Sequence, residues 1–252
     1  MSGRVFVIGL GPGDEAMRTA QASDALAQAT DLVGYAPYVA RVRTGPEVVR
    51  HVSDNRAELD RATLALNLAE SGRIVAVVSA GDPGVFAMAS AVFEAIETGD
   101  PAWRALDVSI LPGVSAMMAA AARVGAPLGG DFCAISLSDN LKPWPVVLQR
   151  LEAAASAGFV VALYNPISQA RPWQLGAAFE RLRALLPPER PVLFATAVSR
   201  ADERIRLCTL GDAKPDFADM RTLVLVGGPG TRAIARPDGS FWLYTARSIS
   251  AE

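Results

Sequence analysis

Histidine occurs once in these 252 residues, at His51, and cysteine twice, at Cys133 and Cys208. That scarcity excludes several chemistries. Two distant thiols signal neither a disulfide framework nor a Cys-x-x-Cys redox or zinc site. With a single histidine they fall short of zinc's usual ligand set, so no protein-bound metal is expected. A serine triad is equally ill served: Gly113-Val114-Ser115-Ala116-Met117 lacks the second glycine of a nucleophile elbow, and His51 lies in a charged stretch beside Arg50. Long apolar runs are missing too. No stretch reaches about 18 apolar residues without a charge, and the first strand begins almost at once, so neither a membrane span nor a signal peptide is expected. Charge of one sign is also absent: 24 Lys and Arg face 26 Asp and Glu, for a net charge of −2. A sequence pI of about 5.6 argues against broad nucleic-acid binding while leaving room for a local basic pocket. A soluble protein of the reducing cytoplasm is the expectation.

What is present is an apolar, glycine-marked alternation of strands and helices. Hydrophobic residues make up 51% of the chain, ample for a core without staples. Val5-Phe6-Val7-Ile8, Leu32-Val33, Ile74 to Val78 and Val108 to Leu111 read as buried parallel strands. Helices are predicted over 19–29, 57–70 with Gly72 as C-cap, 85–97 and 115–124. The segment Gly125-Ala126-Pro127-Leu128-Gly129-Gly130 is the strongest punctuation in the chain and reads as a linker between domains at 1–125 and 131–252. Beyond it strands are predicted at 132–137, 159–164, 192–196, 205–209 and 223–226, and helices at 144–157 and 173–186. The tail after Pro229 reads as partly irregular. The fold class expected is α/β in two domains, each an open, mainly parallel or mixed sheet flanked by helices.

Three strand-to-helix corners fall in the first half, at 9–14, 79–86 and 111–116, where open α/β sheets bind ligands. The first, Gly9-Leu10-Gly11-Pro12-Gly13-Asp14, misses the dinucleotide fingerprint because Asp14 stands where the third glycine belongs, and a carboxylate there repels a pyrophosphate. In Asp82-Pro83-Gly84 proline pins the turn, glycine lets a ligand approach the backbone, and the carboxylate can accept hydrogen bonds. Ser115-Ala116 open a helix whose N–H groups are available to a polar ligand. Asp139 reads as a turn or capping carboxylate, Tyr35 and Tyr38 as pocket-lining or packing, and His51 as a surface residue or a pocket acid or base. Arg41, Arg43, Arg50, Arg56, Lys142, Arg171 and Arg200 lie mostly in loops, solvated or converging on an acidic substrate.

Together, Gly-Leu-Gly-Pro-Gly-Asp at 9–14, Gly-Asp-Pro-Gly-Val-Phe at 81–86, Pro-Gly-Val-Ser-Ala at 112–116 and Leu-Tyr-Asn-Pro at 163–166 resemble the tetrapyrrole methylases, over residues 4 to about 230. Gly-Tyr-x-x-Tyr at 34–38, and Ser-Leu-Ser-Asp followed by Pro-Trp at 136–144, resemble the cobalamin-pathway branch that methylates ring carbon 17 of precorrin-3B with ring contraction to precorrin-4. The resemblance implies S-adenosyl-L-methionine bound in a cleft between two α/β domains, S-adenosyl-L-homocysteine as product, and a homodimer. Carried over by position, Pro12, Ala80, Gly81, Asp82, Val85, Phe86, Ser115, Ala116, Tyr164 and Ala197 would hold the cofactor. Asp139 is the candidate acid or base, with Tyr38 and His51 in reserve. Arg41, Arg43, Arg50, Arg56, Lys142 and Arg171 are the candidates for the macrocycle's acetate and propionate arms. One position departs: relatives acting on uroporphyrinogen carry an aspartate where this chain has Ala36, which counts against that substrate. Rival readings are the same fold with another methyl acceptor, a non-catalytic metabolite-binding module, and a nicotinamide oxidoreductase, which Asp14 disfavours.

Overall fold

The computed structural model describes residues 3–54 and 57–248. Its chain contacts fall into two compact units, Met1–Ser115 and Ala116–Glu252.

The first unit alternates β1 (Arg4–Gly9), α1 (Ala20–Gln28), β2 (Asp31–Tyr35), the one-turn α2 (Ala36–Val39), β3 (Val49–Ser53), α3 (Glu58–Glu70), β4 (Ile74–Ser79), α4 (Met88–Thr98) and β5 (Asp107–Leu111). Its sheet has the order β3-β2-β4-β1-β5 and is parallel throughout. Period-two alternation sorts the strand side chains onto two faces. Val5 and Val7 join Val75 and Val77 beneath α3 and α4, whereas Phe6 and Ile8 join Ala76 and Val78 against α1. The connections leaving β1 and β4, adjacent strands, run in opposite directions across the sheet. Such a switch point leaves a crevice at the carboxyl ends of the strands. Thr19 starts α1 by accepting the Ala22 N–H, and α3 runs out beyond Ser71 into Gly72 at φ +89°. β3 carries His51 and lies in the charged stretch around Arg50, where the sequence predicts no strand. It is an exposed edge strand with a weak apolar signature.

The second unit holds α5 (Ala116–Val124), β6 (Gly125–Ala126), β7 (Phe132–Ser136), α6 (Trp144–Ser156), β8 (Val160–Tyr164), α7 (Gln174–Arg183), β9 (Pro191–Thr196), β10 (Arg204–Thr209), β11 (Thr222–Val226), β12 (Thr231–Ala235) and β13 (Phe241–Thr245). The main sheet, β10-β9-β11-β8-β7, is mixed, with β7 and β8 parallel and the remaining pairs antiparallel. Leu137, Leu151, Leu163, Leu175, Phe179 and Phe194 are fully buried at the centre of its core with α6 and α7.

Two sequence readings change here. The glycine-rich segment at 125–130 is inside the second unit, because Gly125 and Ala126 pair in parallel with Leu243 and Tyr244 of β13. The tail expected to be partly irregular instead forms the antiparallel β12–β13 hairpin, turned by Pro237-Asp238-Gly239 with Gly239 at φ +80°.

Candidate functional site

Register brings the ends of β1, β4 and β5 level: Gly9 lies opposite Ser79, and Ile8 opposite Leu111. The three corners meet there through glycine. A Cβ on Gly9 would lie 2.6 Å from Gly81 O and 2.8 Å from Gly113 Cα, and one on Gly113 would lie 2.2 Å from Gly81 O. No side chain larger than hydrogen fits at either position. The corners are then stitched together. Gly11 and Gly81 exchange backbone hydrogen bonds at 3.2 and 2.9 Å, and Leu10 N–H donates to Ser79 O at 2.9 Å. Asp82 clamps the second corner to the third: Oδ1 accepts from Gly84 N–H at 2.8 Å and Oδ2 from Gly113 N–H at 3.0 Å. Each oxygen keeps lone-pair capacity, but the first task of this carboxylate is to fix the corners. Asp14 is exposed and caps the single 3₁₀ turn after the first corner, accepting the Ala16 N–H. Pro12 is buried, Ala80 and Val85 are half-buried, and Phe86 is exposed at φ +52°, a conformation costly for a bulky side chain.

Ser115 closes the unit. It is buried, and its Oγ has no hydrogen-bond partner among the described residues, a state that ordinarily costs 1–3 kcal/mol by order of magnitude. Within the second unit, the hydroxyl of Tyr164 at the end of β8 accepts the Met117 N–H in the first turn of α5 at 3.1 Å, satisfying a donor that the helix leaves unpaired. Ala197, just past β9, is buried at φ +51°, and Asn165, next to Tyr164, sits at φ +50°. Non-glycine residues in the left-handed region thus follow three strands, β4, β8 and β9.

The other predicted residues divide. Asp139 Oδ1 accepts from Gln174 Nε2 at 3.1 Å and Arg171 Nη1 at 3.4 Å, while Arg171 also donates to Asn140. Arg171 is therefore already paired with the candidate base. Lys142 is half-buried nearby in sequence, and burial, aided by repulsion from Arg150, pulls its pKa down. Tyr35 and Tyr38 stack edge to face at 5.2 Å at the end of β2. His51 is not gathered with them. Its Nε2 lies 2.9 Å from Asp31 Oδ1, at the amino end of β2, opposite the edge where the corners meet. Asp31 is buried, and its other oxygen takes Arg73 Nε at 2.6 Å and Thr30 Oγ1 at 2.7 Å. Burial pushes the Asp31 carboxyl upward, but hydrogen bonds from Arg73, His51 and Thr30 outweigh it and hold it below the ordinary value. Arg50 donates to Val39 O, Val42 O and Thr44 Oγ1 and so braces the loop after α2. Arg43 is exposed on that same loop, and Arg56 lies outside the described residues.

A residue that sequence reasoning missed is Arg61, only 4% exposed. It donates to Ala57 O at 3.1 Å and Asp54 O at 3.3 Å, and Nη1 lies 3.4 Å from Met88 Sδ, behind the Gly81–Phe86 corner. Burial lowers its pKa against the pull of Glu58, Tyr38 and Asp54. Its signal was available, since Arg61, Ala65 and Ala69 share one stripe of α3, a cation at an apolar position. Among the described residues no group of three or more His, Cys, Asp or Glu could hold a metal ion, and no helix is long and apolar enough to cross a membrane.

The sequence profile of the Tetrapyrrole (Corrin/Porphyrin) Methylases matches residues 4–214. The chain belongs to this family. Over 247 residues it is 54% identical to a precorrin-3B C(17)-methyltransferase from Sinorhizobium sp, covering 98% of this chain and 97% of that protein. The crystal structure of the methyltransferase CobJ superposes with a TM-score of 0.93 at 53% identity, covering 97% of this chain and all of that one. A uroporphyrin-III C-methyltransferase from Thermus thermophilus, complexed with S-adenyl homocysteine, matches at a TM-score of 0.68 and 21% identity, a likeness of fold. As a family member this chain is an α/β methylase of two units. Its three glycine corners stand at the carboxyl edge of the first sheet, where the family resemblance expected a ligand.

Proposed function

We propose that this protein is an S-adenosylmethionine-dependent methyltransferase of cobalamin biosynthesis that methylates ring carbon 17 of precorrin-3B, with ring contraction to precorrin-4. The observation that carries the proposal is the meeting of Gly9, Gly81 and Gly113 under the Asp82 clamp, in a chain 54% identical to a precorrin-3B C(17)-methyltransferase along nearly its whole length.

The residues present fit the cofactor. The buried Ser115 Oγ has hydrogen-bonding capacity that no described residue uses, and each Asp82 oxygen keeps lone-pair capacity beyond its one backbone bond. S-Adenosylmethionine, when bound, supplies an electrophilic methyl group. Ala80, Gly81, Asp82 and Val85 would line its site, with Pro12, Phe86 and Ser115; Ala116, Tyr164 and Ala197 join the proposal on the family resemblance alone. These residues orient reactants and exclude water, the effects on which an in-line methyl displacement chiefly depends. Asp139, with Arg171 and Gln174 on one oxygen, offers its other oxygen as a proton acceptor. His51 is committed to Asp31, so Asp139 and Tyr38 are the stronger candidates for proton transfer. A homodimer, a cytoplasmic location and no nucleic-acid partner belong to the same proposal. Light scattering should then report twice the 26.5 kDa chain mass.

Incubation with methyl-labelled S-adenosylmethionine and precorrin-3B tests the function. Mass spectrometry and NMR should find one labelled methyl on carbon 17 of a contracted ring. Label elsewhere on the macrocycle would assign another precorrin reaction, and no transfer would reject the proposal.

A further inference from the structure

Arg41 comes two residues after α2 and belongs by sequence with the cations expected to meet substrate carboxylates. Its Nη2 instead points at the first glycine corner, donating to Gly11 O at 3.2 Å, Gly13 O at 3.3 Å and Leu10 O at 3.4 Å. One nitrogen has two protons to share among three acceptors, so each bond is long, and the hold comes from the set and from the charge behind it.

We infer that Arg41 is a positioning residue that sets the shape of the 9–14 corner, rather than a ligand of the substrate. The inference rests on the reading above that this corner faces S-adenosylmethionine. Two features of the corner call for such a brace. Leu10-Gly11-Pro12-Gly13 carries no polar side chain, Pro12 has no N–H, and Gly11 sits at φ +69°, so beyond the backbone bonds of Leu10 and Gly11 to the second corner the loop has no side chain of its own to set its carbonyls. Asp14, the polar residue that follows, spends one oxygen on its own 3₁₀ turn. Peptide geometry then gives the brace its effect. A trans peptide sends its C=O and N–H in opposite directions, so a carbonyl held on Arg41 fixes the aim of the next N–H. The Leu10 carbonyl on Arg41 accords with the Gly11 N–H meeting Gly81 O at 3.2 Å, and the Gly13 carbonyl sets the direction of the Asp14 N–H.

Arg50 extends the device. From β3 it donates to Val39 O at 3.3 Å and Val42 O at 2.8 Å, the residues on either side of the Ala40–Arg41 step. It thereby holds the turn that presents Arg41. The two arginines form a relay from the edge strand through the loop after α2 to the corner. In Arg50 the planar guanidinium reaches the two carbonyls from separate nitrogens, Nη1 and Nη2, a span that a single ammonium nitrogen lacks.

Arg41→Met and Arg41→Gln test this by titration calorimetry with S-adenosylhomocysteine and by steady-state kinetics with precorrin-3B at saturating cofactor. Arg41→Met should weaken S-adenosylhomocysteine about tenfold or more while the tetrapyrrole KM stays within about twofold of wild type. Arg41→Gln, which keeps an N–H donor, should fall between. Wild-type affinity for S-adenosylhomocysteine together with a raised tetrapyrrole KM would return Arg41 to the substrate and overturn the inference. Failure of both variants to fold would also overturn it, by making Arg41 a support of the whole unit. A wild-type protein that does not bind S-adenosylhomocysteine would defeat the functional reading instead, before Arg41 is changed.

Discussion

Gly113 leaves less room than Gly9: an added Cβ would come within 2.2 Å of a carbonyl oxygen and 2.9 Å of Gly9 Cα, both backbone atoms that cannot swing aside. Gly113→Ala should cost about 2–4 kcal/mol in denaturant unfolding and abolish S-adenosylhomocysteine binding, because the third corner must retreat from the first. Asp82→Asn is nearly isosteric but replaces an acceptor with a donor facing a backbone N–H. It should lower stability by about 1–3 kcal/mol and cofactor affinity about tenfold, read by unfolding and calorimetry. The importance of Asp82 was legible in Gly-Asp-Pro-Gly, but its partner was not, since Gly113 lies 31 residues away and meets it only through strand order. Asp31 makes a prediction in pH. Its folded pKa is depressed by Arg73, His51 and Thr30, so its contribution is complete above the ordinary carboxylate value of about 3.9 and is lost as pH falls through the lower folded value. Asp31→Asn should therefore be about 1–3 kcal/mol less stable than wild type at neutral pH, with the two unfolding curves converging below about pH 4. Turnover should persist, since the cluster lies at the amino ends of the strands.

At the level of elements, the short strand β6 joins the β12–β13 hairpin to α5. Gly125 has φ +132°, and a Cβ there would lie 2.7 Å from Leu243 O, its partner strand's backbone. Gly125→Ala should loosen that parallel pairing, seen as faster hydrogen exchange in β13 and at the end of α5, with exchange in β1 and β4 unchanged. The six-residue strands with unbroken apolar cores, β1 and β4, were legible because burial on both faces of a parallel sheet leaves a continuous hydrophobic run. β3 was not, because Val-Arg-His-Val-Ser on an exposed edge carries no such run. The hairpin was legible in principle from Pro237-Asp238-Gly239 between Thr-Arg-Ala-Ile-Ala and Phe-Trp-Leu-Tyr-Thr, both strand-rich. The glycines of 125–130 misled for a different reason. They permit close backbone approach and positive φ within a unit as readily as they permit a linker, and sequence cannot tell those uses apart.

For the molecule as a whole, three of the motifs shared with the family gather at the carboxyl edge of the first sheet, where Gly9, Gly81 and Gly113 meet. Among the motif residues that carry the likeness, Gly9 and Gly113 are those whose backbone packs too tightly for a side chain. The basic residues were less legible. Arg41, Arg50 and Arg171 each have carbonyl, amide or carboxylate partners that no one-dimensional pattern reveals, and Arg61 was overlooked inside a helix stripe. Asp139→Asn should keep the fold and S-adenosylhomocysteine affinity while lowering kcat about 100-fold, as expected when a positioned proton acceptor is lost. In the proposed function the three corners and Ser115 hold the methyl donor. A crystal structure of the wild-type protein with S-adenosylhomocysteine tests it most directly. The ligand should lie against Gly81–Val85, with Ser115 Oγ hydrogen-bonded to it. A ligand bound elsewhere, with those corners empty and Ser115 still unpartnered, would contradict it.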